Sequence, residues 1–110
     1  MPSIHEKDWK IIRSMKKDAL DLACRRIMEK ISILVSADEK SAYTRYLELW
    51  EMIKAEDKNI ESMFDNLKRS NALQHLSLWR FNDLITDTDL ESFSPDVLTK
   101  ISAYLEVWRQ

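Results

Sequence analysis

Two histidines, one cysteine and a scatter of carboxylates are the side chains of this sequence that could do chemistry. His5 and His75 each stand four residues before a tryptophan, Trp9 and Trp79, so on a helix each imidazole can rest against an indole of the same face. That spacing predicts packing rather than metal ligation. A closed zinc site takes a tetrahedral set, and no paired-ligand spacing gathers His5, Glu6, Asp8 and Cys24. Asp83, Asp87, Asp89 and Glu91 alternate like the oxygen ligands of a calcium loop, but the sharp turn of that loop uses a glycine and this chain has none. Thr88 and Glu91 have capping spacing instead and predict a helical turn from Asp89 to Phe93. Cys24 precedes Arg25 and Arg26, whose charge would favour a thiolate, yet both histidines are remote in sequence. Among Leu20, Ala23 and Ile27 it reads as a small hydrophobe. No serine sits in a nucleophile-elbow context, and no carboxylate pair stands among apolar neighbours as an acid/base pair would. The expectation is a non-enzymatic chain without cofactor, metal or small-molecule substrate.

Nucleic acid is the second chemistry to weigh. Lys10, Arg13 and Lys17 can form a basic ridge on one helix, and such a ridge can follow a phosphate backbone. Asp8, Asp18 and Asp21 interrupt it, and a pI near 5.7 opposes a general backbone binder. Nucleic-acid binding through helix 1 is therefore the alternative reading rather than the first.

These residues must be positioned by helices. The chain has 110 residues, 45% hydrophobic and 33% charged, enough for one folded domain and too apolar for disorder. The absence of glycine, with proline only at Pro2 and Pro95, removes the residues that strand-rich and phosphate-loop folds depend on. A single cysteine allows no internal disulfide, and neither a leader-like stretch nor a membrane-length apolar run is seen, so a cytoplasmic location is expected. Charge is graded along the chain. Residues 1–35 hold eight basic and five acidic side chains, residues 36–70 six and eight, and residues 71–110 three and six, for nets of +3, -2 and -3.

Apolar residues recur at three and four from Ile12 through Leu34, and again from Ala42 through Leu67, predicting two long helices over about 4–35 and 37–68. Ser3 with Glu6, and Ser36 with Glu39, have capping-box spacing and would start them. Trp50 follows the apolar stripe of the second helix and is expected in the core. A third helix is predicted over 72–85, and the pattern Ser94-Pro95-Asp96 opens a last one over 95–109, with Ser94 as cap. The fold class is all-α: a long antiparallel hairpin with two shorter C-terminal helices packed on it, like a four-helix bundle.

One aromatic does not fit that plan. In the third helix Leu73, Phe81 and Leu84 define one side, whereas Leu76 and Trp79 turn about a third of a circle away. A short helix lying on a single hairpin buries only one of these sides. Trp79 and Leu76 are therefore expected as anchors of a protein-binding surface, with Trp108 beside them and Asp83 and Asp87 on an acidic rim. The function expected is a protein-interaction module of the inhibitor, antitoxin, immunity or adaptor kind. Its partner would be another protein or a second copy, and a different, basic protein suits the acidic rim better.

Overall fold

The structure, a computed structural model, describes residues 4–110. Five α-helices follow in order: α1 (Glu6–Val35), α2 (Ala42–Phe64), α3 (Ala72–Phe81), α4 (Asp87–Leu90) and α5 (Pro95–Trp108), with a short 3-10 turn at Arg69–Asn71 leading into α3. The all-α hairpin architecture is as the periodicity predicts. Several boundaries move, and each has a local cause.

Helix α1 begins after His5, which makes no side-chain cap, while Glu6 and Asp8 in the first turn place negative charge at the positive helix end. Ser3, the expected cap, lies outside the described residues. Ser36 is not the start of the second helix but the closing residue of α1, its amide donating to the Ser32 carbonyl while the next amide, of Ala37, donates to Leu34. The chain then turns, and Ser41 caps α2 by accepting from the Thr44 amide at 3.1 Å. Helix α2 stops at Phe64, short of the predicted Lys68, because Asp65 turns to extended backbone at ψ 148°, and Asn66 after it takes a left-handed conformation at φ 60°. Asp83 does the same after α3 at φ 57° and ends that helix before Leu84 and Ile85, which are buried from the following turn. Asparagine and aspartate tolerate this backbone region better than other residues with a Cβ, and in a glycine-free chain they supply the reversals. Helix α4 is capped two residues earlier than expected, by Thr86 and Asp89 bonding each other's amides, and Leu90 and Phe93 plug inward. Pro95 opens α5 at its first position, where its missing amide costs nothing. Ser94, however, makes no cap. Its amide and hydroxyl donate instead to the two carboxylate oxygens of Asp8, at 3.1 and 2.9 Å.

The core lies at one end of a body measuring 54 × 26 × 23 Å. Ile12, Ala19 and Ala23 of α1 and Phe64 of α2 meet Ala72, Leu76 and Trp79 of α3, with Val97, Ile101 and Leu105 of α5 in the same cluster. Helix α3 is thus enclosed by the hairpin on one side and α5 on the other. This corrects the expectation for Trp79 and Leu76. Both are 0% exposed, because two surfaces cover the two apolar sides of α3. The Trp79 ring stacks on Phe64 at 5.5 Å and its Nε1 donates to the Met63 carbonyl at 2.8 Å. The same carbonyl lies 2.6 Å from Nδ1 of buried His75. Phe81, expected inside, is instead partly exposed.

Candidate protein-contact face

The C-terminal elements grip the hairpin from its foot as far as Arg26 and leave its upper third free. Arg69 of the 3-10 turn pairs with Glu6, Ser94 with Asp8, and Arg26 donates to the carbonyls of Asn82 and Asp83 at 2.9 and 2.8 Å. Helix α1 runs on for about 13 Å beyond Arg26 at 1.5 Å per residue, with only α2 and the turn beside it. The two helices of this free portion are held together by Arg45 donating to the Val35 carbonyl, by Lys30 with Glu56 at 3.6 Å, and by buried Leu34.

The free portion is apolar where no neighbour covers it. Among the described residues eleven large hydrophobic side chains are exposed, and eight of them lie between 28 and 53, so the exposure is concentrated and not scattered. On α2, Tyr43, Tyr46, Leu47, Trp50 and Ile53 follow one another at helical intervals of three and four. Trp50, expected in the core, is 50% exposed, and Tyr46 and Ile53 of the same predicted core stripe are exposed with it. The stripe that would be core in a longer bundle has nothing to pack on here, since α3 and α5 reach only the other end. On α1, exposed Cys24, Met28 and Val35, with half-buried Ile31 among them, form a matching row. Ile33 stands alone on the opposite side.

Both rows face the same way. Helix α1 turns Ile27, Lys30 and Leu34 toward α2, and α2 turns Arg45, Leu49, Met52 and Glu56 toward α1. At 3.6 residues per turn, each apolar row lies about a quarter to a third of a turn clockwise of its contact line, seen from that helix's own N-terminus. In two antiparallel helices, equal rotations seen from opposite ends put both rows on one side of the pair. Arg26 and Asp8, which carry the C-terminal elements, point to the other side of α1.

Of the remaining expected site residues, Trp108 is half-buried. Its ring lies 5.7 Å from Phe81 and 5.4 Å from Tyr104, beside a recess of about 590 Å³ that also takes in Leu73 and Val107. It is not joined to the hairpin face. Asp83 and Asp87 are exposed, but both bind Arg80, at 3.1 and 2.9 Å, so the expected acidic rim is spent within the chain. The hydrogen bond from Arg80, and then its charge, hold the Asp87 carboxyl below its ordinary range. Lys10, Arg13 and Lys17 are all exposed and share one side of α1, with the Arg13 guanidinium 5.9 Å from the Trp9 ring centre.

Among the described residues no group of three or more metal-ligating side chains gathers. A recess of about 340 Å³ under the hairpin is lined by Arg26, Lys30, Glu56, Asn59 and Asn82. Its charges are committed: Arg26 to backbone carbonyls and Lys30 to Glu56. Cys24, read from the sequence as a small hydrophobe of the apolar face of α1, is exposed. No described helix is long and apolar enough to cross a membrane. Comparison of the chain with protein-family models, with curated proteins and with solved structures finds no match.

The sequence held a signal for the face that the core expectation obscured. The apolar stripe of the second helix runs from Ala42 to Leu67, whereas the C-terminal helices of 10 and 14 residues span about 15 and 21 Å. Helices that short cannot cover both faces of a hairpin about 45 Å long.

Proposed function

We propose that this chain is a non-enzymatic protein-interaction module that makes contact through the free portion of its α1–α2 hairpin. The observation that carries the reading is the row Tyr43, Tyr46, Leu47, Trp50 and Ile53, exposed along one side of α2. Tyrosine and tryptophan are the side chains that interface centres favour, because they remove much apolar area from water at little cost in side-chain entropy. An inhibitor, an immunity-type binder and an adaptor all act in this way, and the row fits each of them. A photo-crosslinking phenylalanine analogue at Tyr46 should trap a protein adduct in cells, while the same analogue at Glu51, on another side of α2, should not. Equal adducts at both positions, or none at Tyr46, would refute the assignment. Trp50→Ala should weaken association by about 2 kcal/mol, as loss of a central aromatic anchor does, with helical content unchanged.

For nucleic acid the basic ridge offers three cations with Asp18 and Asp21 close by. The expected result of titrating duplex and single-stranded oligonucleotides at two salt concentrations is no binding in the micromolar range at physiological salt. Micromolar binding that is lost when Lys10, Arg13 and Lys17 become glutamine would transfer the function to that ridge.

A further inference from the structure

We infer that the recess between α3 and α5 binds a medium-chain fatty acid, with the carboxylate at Arg69 and Lys100 and the hydrocarbon chain lying along α5 toward Trp108. The site is separate from the hairpin face and does not depend on it. Among the described residues three large hydrophobic side chains are exposed outside positions 28–53, namely Phe81, Tyr104 and Val107. All three gather here. Tyr104 and Val107 line the recess, and Phe81 lies 5.7 Å from the ring of Trp108, which lines it too. The chain thus shows water a second apolar surface, and this one is concave. Its volume of about 590 Å³ falls in the range of roughly 300–1,000 Å³ usual for small-molecule sites.

The recess is charged at one end only. Lys100, Ala103, Tyr104 and Val107 follow at intervals of three and four and form one edge of it along α5. The other edge is Arg69 of the 3-10 turn and Leu73 in the first turn of α3. Trp108 closes the end at which both helices finish, since it touches Phe81, the last residue of α3. Arg69 and Lys100 stand at the opposite end. In a chain of net charge -2, the recess takes in these two cations and, among the described residues, no carboxylate. Both cations keep donors to give. Arg69 uses one terminal nitrogen on Glu6, and its Nε is buried with no hydrogen-bond partner among the described residues. Lys100 stands 3.6 Å from Asp96, too far for a hydrogen bond. A carboxylate accepts from both, with arginine as the geometrically matched donor. Length sets the chain. From Lys100 to Val107 the helix rises about 10 Å, which an extended chain of about eight bonds spans at roughly 1.2 Å per bond. A hydrocarbon suits the side chains of Leu73, Ala103 and Val107, which offer no hydrogen-bond partner to the amides of a peptide.

Octanoate titrated into the full chain in a calorimeter should bind one per chain, with a dissociation constant on the order of 300 μM, within the per-atom reach of small ligands. Octanol keeps the chain and loses the charge, and acetate keeps the charge and loses the chain. Each should bind roughly tenfold more weakly or less. Lys100→Gln should weaken octanoate binding by about threefold at low ionic strength, and the effect should fade as salt is added. Ala103→Glu, which sets a carboxylate on the apolar edge within reach of Lys100, should abolish it. Both positions are exposed, and unchanged helical content shows that the variants fold. Trp50→Ala, on the hairpin, should leave octanoate binding as it is. No binding of octanoate up to about 5 mM overturns the inference, and equal binding of octanol overturns the place given to the carboxylate. Binding that survives Ala103→Glu, or that falls with Trp50→Ala, would put the ligand on the hairpin row instead. A chain that dimerises at about 100 μM and becomes monomeric with Ala103→Glu would give the recess to a second copy, and would overturn the inference as well.

Discussion

Trp79→Ala is expected to destabilise the fold by about 3–5 kcal/mol, the range for truncating a fully buried tryptophan. The residue is enclosed on both sides of α3, and it joins the two halves of the molecule. Its ring lies on Phe64 at the end of α2, and its indole Nε1 closes on the Met63 carbonyl. Loss of the ring leaves a cavity in the cluster where the hairpin, α3 and α5 meet and which also holds Ile12, Leu76 and Ile101. The Met63 carbonyl is not orphaned, because His75 Nδ1 also reaches it. Trp79→Phe should therefore cost less, about 1–2 kcal/mol, with the stack kept and one donor gone. Folded chains of this size have only about 5–15 kcal/mol in hand, so the alanine variant should sit near the unfolding threshold at room temperature. Urea unfolding gives the measurement, read as a lower midpoint at unchanged slope. Trp50→Ala supplies the contrast: a half-exposed side chain on the free hairpin should change monomer stability by less than about 0.5 kcal/mol. Similar costs at the two positions would contradict the assignment of Trp79 to the core and Trp50 to the surface.

The contrast between these tryptophans also shows which features can be read from the order of residues. Helix type and number are legible because they depend on local spacing. Pro95 fixes the start of α5, and the apolar periodicity carries α1 across 30 residues. Helix ends are less legible where two candidates compete. Ser36 and Ser41 both carry a plausible partner three residues on, Glu39 and Thr44, and the choice falls to Ser41 because α1 continues through Val35. Burial is the least legible, because periodicity names the apolar side of a helix without naming what lies against it. Trp79 and Trp50 each occupy such a side. Enclosure between the hairpin and α5 buries the first, and the limited reach of α3 and α5 leaves the second bare. Of these two, the exposed tryptophan therefore lies on the hairpin and not on the apolar sides of α3.

Asp8 provides the second large effect, again through a contact between distant parts of the chain. Its carboxylate is 1% exposed and accepts the Ser94 amide on one oxygen and the Ser94 hydroxyl on the other, 86 residues away in sequence. The position is favourable twice over, since Asp8 lies in the first turn of α1 and its side chain reaches the residue from which α5 begins, and both helix N-termini are positive ends. Asp8→Ala removes both acceptors and leaves the Ser94 amide and hydroxyl facing a gap, so a loss of about 2–4 kcal/mol is expected, given that bonds to charged groups are the strong ones. Ser94→Ala removes only the hydroxyl and keeps the amide bond, and should cost about 1 kcal/mol. Helix-cap loss and loss of the Asp8 contact predict similar values for the serine variant alone, so the decisive measurement is the double-mutant cycle. If Ser94 acts through Asp8, then in the Asp8→Ala background the serine substitution should cost nearly nothing, with a coupling of about 1 kcal/mol. Additive costs would mean that Ser94 serves α5 as an ordinary cap and that α1 and α5 are held together by apolar packing alone.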